Sequence, residues 1–170
     1  MRHSVPKSPQ FYVTAPQECP YLDGKVERKL FTALNGPDSK ILNNALSKQG
    51  FRRSQNVLYR PSCADCSACM SARIPVQNFS FSKSERRVLK RNIGLKREAK
   101  TPWASFEQFS LFKKYVEFRH DNGGMSGMSE SEFTSMIEET SVNTLFCEYS
   151  VQNDQSKTVL GASLTDVIED

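Results

Sequence analysis

The sequence predicts an α+β fold, with helices and strands mixed along one chain. Three observations carry this. Apolar residues alternate with period 2 at 27–34, and two further strand candidates flank a polar turn toward the end of the chain. Helical spacing governs Phe109, Phe112 and Val116, and a second apolar face follows at Phe133, Met136 and Ile137. Finally, 38% hydrophobic residues, with 11 Phe and 5 Tyr in 170, suffice to build a buried core. The length suits one domain or two small ones.

In chain order, residues 1–18 are polar, with Pro6, Pro9 and Pro16, and read as an arm or edge segment. Glu27–Leu34 is a strand with Leu30, Thr32 and Leu34 on one side, ended by Asn35-Gly36-Pro37. Ser39 is placed to cap a helix through Lys48, with Ile41, Leu42, Ala45 and Leu46 as its apolar stripe and Gly50 as its stop. Phe51–Tyr59 is extended. Ala72–Phe79 reads as a strand that Pro75 confines to an edge or bulge. Ser84–Asn92 is a short basic helix, and Lys96–Pro102 a linker.

Ser105 caps a helix to about Arg119, with Phe106 and Tyr115 beside its core stripe. Asn122-Gly123-Gly124 breaks it. Ser129 and Glu132 form a capping-box pattern for the next helix. Leu145–Val151 and Thr158–Ile168 are strands around a polar turn, and the sheet they begin needs a further covering element.

Charge is unevenly spread within the net +4. Residues 1–100 carry 19 Lys and Arg against 7 Asp and Glu, while 101–170 carry 4 against 12. The densest stretch is Lys83–Lys100, where Arg86 with Lys90 and Arg87 with Arg91 are i,i+4 pairs that repel on a helix. An anionic partner would offset that repulsion, and phosphate contacts would bring salt dependence without base specificity. The bland reading is a solvated basic face. No run of 18 apolar residues exists, and Met1–Gln10 lacks the apolar stretch of a signal peptide. Five cysteines without such a signal fit a reducing cytoplasm better than a disulfide scaffold.

Cys63-x2-Cys66-x2-Cys69 is the most specific local pattern. Three thiols in seven residues face one centre if the backbone curls tightly. Zinc or an iron–sulfur cluster would need a fourth ligand, for which Cys19 is the best candidate and His120 a weak one. Free, partly buried thiols and a redox role are the alternatives. Cys147 lies in a strand pattern and reads as a small buried hydrophobe. Walker A, Gly-x-Gly-x-x-Gly, His-Glu-x-x-His and Gly-x-Ser-x-Gly patterns are all absent, and two histidines give a triad little support.

Several phrases coincide with a known family. They are Cys19-Pro20-Tyr21-Leu22, Phe51-Arg52-Arg53-Ser54, Tyr59-Arg60-Pro61-Ser62-Cys63, Cys66-Ser67-Ala68-Cys69, Arg73-Ile74-Pro75-Val76, Phe79 with Ser82 and Ser84, and Arg86-Arg87-Val88-Leu89-Lys90-Arg91-Asn92. Tyr115, Arg119-His120 and Gly161 with Thr165-Asp166 follow. In order and spacing the chain resembles the bacterial aspartate/glutamate leucyltransferases, relatives of eukaryotic arginyl-tRNA–protein transferases.

The resemblance implies transfer of leucine from leucyl-tRNA to the amino terminus of proteins that begin with Asp or Glu, marking them for N-degron proteolysis in the cytoplasm. It implies a recognition region over residues 1–71, bearing the cysteines, and the first part of a GNAT-like acyltransferase domain over 72–170. Family members are longer, so this chain is expected to end where they continue. Carried over residue by residue, Tyr59, Arg60 and Arg73 would bind the acidic N-terminus. Arg86, Arg87, Lys90 and Arg91 would meet tRNA phosphates. Cys19, Cys63, Cys66 and Cys69 would hold any zinc or iron–sulfur cluster, and the transfer itself would need no cofactor. No membrane partner is implied. The alternative is a non-catalytic tRNA-binding, RNA-binding or zinc-containing regulatory fragment. An acetyl-CoA-dependent GNAT enzyme is weakly supported, since no Gly-rich pyrophosphate loop occurs.

Overall fold

The computed structural model describes residues 8–121, 123–153 and 156–169. Residues 8–72, with 168–169, cluster as one compact unit and Arg73–Val167 as a second. Together they form an α+β fold with antiparallel sheets and, among the described residues, four α-helices.

In the first unit, β1 (Tyr12–Val13), β4 (Lys29–Ala33), β5 (Arg52–Ser54) and β6 (Val57–Pro61) form a sheet in the order β1-β4-β6-β5. A small hairpin pairs β2 (Gln17–Glu18) with β3 (Val26–Glu27). The expected strand at 27–34 is therefore shared between two sheets. Its period-2 pattern holds, since Thr32 and Leu34 are buried and Leu30 is half-buried. The polar arm supplies β1 as an edge strand, and Thr32 Oγ1 donates to the Gln10 carbonyl at 2.7 Å.

Helix α1 spans Ser39–Ser47, but Asp38 precedes it as the N-cap without a side-chain bond. Ser39 does not cap, because its hydroxyl turns back to donate to the Gly36 carbonyl at 2.8 Å. The expected apolar stripe also differs. Ile41 and Ala45 are exposed, and the helix instead buries Ser39, Asn43 and Leu46, at i, i+4 and i+7. Gly50 ends it as expected, with φ +83°, a backbone that other residues adopt only with strain.

The stretch 51–59 is not one strand but the start of a hairpin, turning at Gln55-Asn56 with Gln55 at φ 49°. The Asn56 carbonyl accepts from Leu34 N–H at 2.8 Å, which ties the turn to the end of β4. Without glycine, that turn carries no strong sequence signal.

In the second unit, the expected strand at 72–79 is absent. A 3-10 turn occupies Val76–Asn78, and Val76 and Ile74 are exposed. Pro75 has no N–H for a ladder, but its carbonyl accepts from Asn78 N–H at 3.1 Å and starts the turn. Helix α2 (Lys83–Arg91) matches the basic helix, capped by Ser82 in a capping box with Glu85.

The expected linker at 96–102 is strand β7 (Lys96–Lys100), on the edge of a sheet ordered β7-β8-β9. Its sequence, KREAK, has no apolar alternation, because an edge strand with charged side chains avoids stray pairing. β8 (Thr144–Asn153) and β9 (Ser156–Asp166) are the two expected C-terminal strands, with a register shift between Tyr149 and Ser150 that leaves Leu160 unpaired on β9.

Helix α3 (Phe106–Arg119) begins at Ser105 and α4 (Glu130–Glu138) at Ser129, both through capping boxes. Asn122, assigned to the break after α3, lies outside the described residues. Phe133, Ile137 and Phe146 form the core of this unit, with Phe109 and Phe112 packed on it. The Phe133 ring centroid is 5.5 Å from Phe109 and 5.1 Å from Phe112. Phe106 and Tyr115 stand outside that core, exposed. Ser105→Ala should destabilise this unit by about 1 kcal/mol, because Gln108 N–H loses its capping oxygen at 3.3 Å. A denaturant titration showing no shift in midpoint would contradict this.

Candidate functional site

Two loops bring the cysteines together. Cys19 N–H donates to the Lys25 carbonyl at 2.9 Å across the mouth of the β2–β3 hairpin. The cysteine loop leaves β6 with Ser62 N–H on the Arg28 carbonyl at 2.7 Å. It returns at Ser71, whose hydroxyl donates to the Gly50 carbonyl at 3.0 Å. Pinned at both ends, it lets Cys63, Cys66 and Cys69 line one cleft with Cys19. That cleft has a volume of about 680 Å³, and Lys25, Glu27 and Arg52 also line it.

All five cysteines are free, and only Cys147 is buried. Cys19, Cys63, Cys66 and Cys69 thus share a cleft. Among the described residues, however, no three Cys, His, Asp or Glu side chains are gathered as metal ligands. His120 is the C-cap of α3, with Nε2 3.4 Å from the Tyr115 hydroxyl.

Tyr59 and Arg60 are neighbours on β6 and so point to opposite faces of the sheet. Tyr59 lies in register with Phe31 on one side and Arg52 on the other. Lys29 Nζ stands 6.0 Å from the Tyr59 ring centroid and pairs with Glu27 at 2.9 Å, a hydrogen bond that raises the lysine pKa. Arg52 carries this face into the cysteine cleft. Arg60 instead stacks its guanidinium over the Phe51 ring at 5.0 Å. Arg73 begins the second unit and is exposed. Tyr59 and Arg60 are therefore not gathered on one face, and sequence reading overlooked Arg52 and Lys25. The available signal was register. Once 52–61 is read as a hairpin, Arg52 falls opposite Tyr59.

Arg86, Arg87, Lys90 and Arg91 lie together on α2, which has no buried residue. Glu85 is the one carboxylate on that helix, and it is tied back to the cap by accepting from Ser82 N–H at 2.7 Å. Hydrogen bonds from the Ser82 hydroxyl and backbone hold its pKa below the ordinary value.

A second cleft, of about 730 Å³, runs between α3, α4 and β9. Leu111, Phe112, Tyr115, Phe118, Met136 and Leu160 contribute to an apolar lining that contains no carboxylate. Beside it lies a polar network that sequence reading did not find. Glu148 on β8, its side chain only 6% exposed, accepts from Gln108 Nε2 at 2.9 Å and from Lys100 Nζ at 3.2 Å, and pairs with Lys157. Burial alone would raise its pKa. Hydrogen bonds from Lys157, Gln108 and Lys100 outweigh burial and bring it down to about 2. Lys157 is raised in turn by Glu148 and Glu98.

Fold and site together define an α+β protein with a thiol-lined, cation-edged cleft in one unit and an exposed basic helix in the other. The family description "Arginine-tRNA-protein transferase, N terminus" matches residues 17–87, and "Arginine-tRNA-protein transferase, C terminus" matches residues 107–170. The aspartate/glutamate leucyltransferase of Ruegeria pomeroyi is 57% identical over 170 residues, covering 100% of this chain and 62% of that protein. The proteins of the same name from Dinoroseobacter shibae and Paracoccus denitrificans are 56% and 54% identical, again over the whole chain and over 62% and 64% of their own lengths. This chain thus spans somewhat under two thirds of the curated relatives it matches. No solved structure matches it. The chain belongs to the arginine-tRNA-protein transferase family.

Proposed function

We propose that this chain carries the acceptor-recognition part and the first part of the transfer domain of an aspartate/glutamate leucyltransferase. The observation that carries the reading is 54–57% identity to proteins of that name across all 170 residues. The reaction joins the α-amine of a protein beginning with Asp or Glu to the leucyl carbonyl. The amide bond forms, the ester bond to the tRNA ribose breaks, and the ribose hydroxyl leaves with a proton. An α-amine of ordinary pKa about 7.7–8.0 is partly neutral at pH 7, and the ester is already activated. Holding the two together is the main demand, and a nucleophilic side chain is not required.

In this reading, the cysteine cleft and the adjoining sheet face take the acidic N-terminus. Arg52 and Lys25 supply cationic donors in the cleft, with Tyr59 in register with Arg52; Arg60, on the other face of the sheet, and Arg73 rest on the resemblance alone. The basic helix α2 meets tRNA phosphates through Arg86, Arg87, Lys90 and Arg91. The second unit forms the first part of a GNAT-like domain. Its largely apolar cleft suits an aliphatic aminoacyl group and holds no carboxylate to pair with a guanidinium, which favours leucine over arginine. The modified protein would enter N-degron proteolysis in the cytoplasm.

The deciding experiment incubates the chain with labelled leucyl-tRNA and peptides starting with Asp, Glu or Ala. Label on the Asp and Glu peptides alone is the expected result. A folded chain that binds neither substrate would overturn the reading, and one that binds RNA without regard to its charging state would favour a non-catalytic RNA-binding role. Zinc or an iron–sulfur cluster on Cys19, Cys63, Cys66 and Cys69 is a separate proposal, and it requires the 63–69 loop to close further on Cys19. Metal-loaded protein should then shield four thiols from alkylation. Uniform alkylation of those four would remove the metal from the account.

A further inference from the structure

We infer that Phe79 and Phe81 form a stacking platform for the unpaired 3′ nucleotides of an RNA whose phosphates lie along α2. This deepens the transferase reading above and rests on it.

The platform is built by local structure. Phe79 N–H donates to the Val76 carbonyl at 3.2 Å, closing the 3-10 turn. Three residues later, Ser82 is held by its capping box with Glu85. Phe79 and Phe81 lie between these two anchors. Being two residues apart on extended backbone, they project to the same side, and their rings meet edge to face at 5.2 Å and 85°. Neither ring is buried. Phe79 is 41% exposed and Phe81 47%. An edge-to-face pair leaves ring surface open, and a nucleobase is a flat partner that can cover it.

Charge selects the occupant. The helix that starts beside these rings carries Lys83, Arg86, Arg87, Lys90 and Arg91. Its single carboxylate, Glu85, is directed at the cap. A helix with no buried residue and this charge has an exposed surface suited to a polyanion. Basic side chains beside exposed aromatic rings are the combination that binds single-stranded nucleic acid, the charge tracking the backbone and the rings taking the bases. A continuous duplex keeps its bases stacked on each other and presents no free base face, so the rings favour an unpaired end. An anionic lipid surface is a different partner for the same charge, and the test includes it.

Binding is measured by fluorescence anisotropy on two RNA hairpins with the same stem, one blunt and one with a short unpaired 3′ extension. The extended hairpin should bind about tenfold or more tightly than the blunt one. Phe79→Leu and Phe81→Leu, which keep apolar bulk without a flat ring, should abolish that preference and leave the salt dependence unchanged. Arg87→Ala with Lys90→Ala should weaken both hairpins alike and make the slope of log affinity against log salt shallower by about 1 to 2. Thermal melts confirm folding of each variant.

Equal binding of the two hairpins overturns the platform while leaving the transferase reading standing. So does a preference that survives both Phe variants. Failure of both hairpins to bind overturns the platform and the transferase reading together. Binding to phosphatidylglycerol vesicles that competes with RNA and is lost in the Phe variants would reassign the patch to lipid.

Discussion

Replacing Glu148 by Gln should lower the thermal midpoint of the second unit by roughly 10 °C, corresponding to about 2–3 kcal/mol. The carboxylate sits on the central strand β8, buried, with Gln108 of α3 on one oxygen and Lys100 of β7 and Lys157 of β9 on the other. One side chain thus links three strands and a helix. Gln keeps the shape and loses the charge, so Lys100 and Lys157 lose their buried partner and keep only the half-exposed Glu98, at 3.0 and 2.9 Å. Both lysines are partly exposed, at 45% and 33%, and water recovers some of the loss.

The same group sets a pH dependence. Its folded pKa of about 2 lies below the ordinary 4.5, so the folded state prefers the ionised form. That stabilisation is complete above about pH 4.5 and is lost as pH falls from there toward 2. Wild-type stability should therefore drop through this window, and Glu148→Gln should flatten the drop by one proton. A midpoint within 2 °C of wild type at pH 7, or an unchanged acid limb, would show that the network contributes nothing of this size.

Arg52→Ala should remove most of the preference for an acidic first residue. The Arg52 guanidinium lines the cysteine cleft and lies in register with Tyr59. A charge-assisted contact to a carboxylate is worth about 1.5–3 kcal/mol, or roughly 10- to 150-fold in affinity. Binding of peptides starting with Asp and with Asn, differing by one charge at the same shape, reads this directly. Wild type should favour Asp by at least tenfold, and Arg52→Ala should bring the ratio close to 1. Arg60→Ala should change it less than threefold, because Arg60 stacks on Phe51 away from that face. Should Arg60→Ala abolish the preference and Arg52→Ala spare it, the recognition face has been drawn on the wrong side of the sheet.

Much of the fold was legible before any coordinates. Ser105 and Ser129 announce their helices because a capping box is a local device, satisfied by backbone and side chains within four residues. Gly50 likewise stops α1 through its own backbone freedom. The β8–β9 hairpin follows from two strand candidates on either side of a polar turn. The core pair Phe133 and Ile137 follows from helical spacing. The basic helix and the shared cleft of the four cysteines rest on spacing and on short loops whose ends are tied down.

The misses share another cause. Lys96–Lys100 is a strand only because β8 lies beside it, and a charged edge strand hides the pattern that would reveal it. Gln55-Asn56 turns because the Asn56 carbonyl meets Leu34, 22 residues earlier in the chain. Tyr59 and Arg60 are adjacent in sequence and separated by the pleat, while Arg52 reaches Tyr59 only through strand register. Glu148 sits opposite another carboxylate, Glu98, an arrangement that sequence alone would count as repulsive. It is stabilised by two lysines and a glutamine drawn from β7, β9 and α3. Local chemistry in the sequence determined the helices and most of their ends. Which charges meet, and on which face, was decided by non-local pairing, because a strand's partners and its buried side exist only once the sheet has formed.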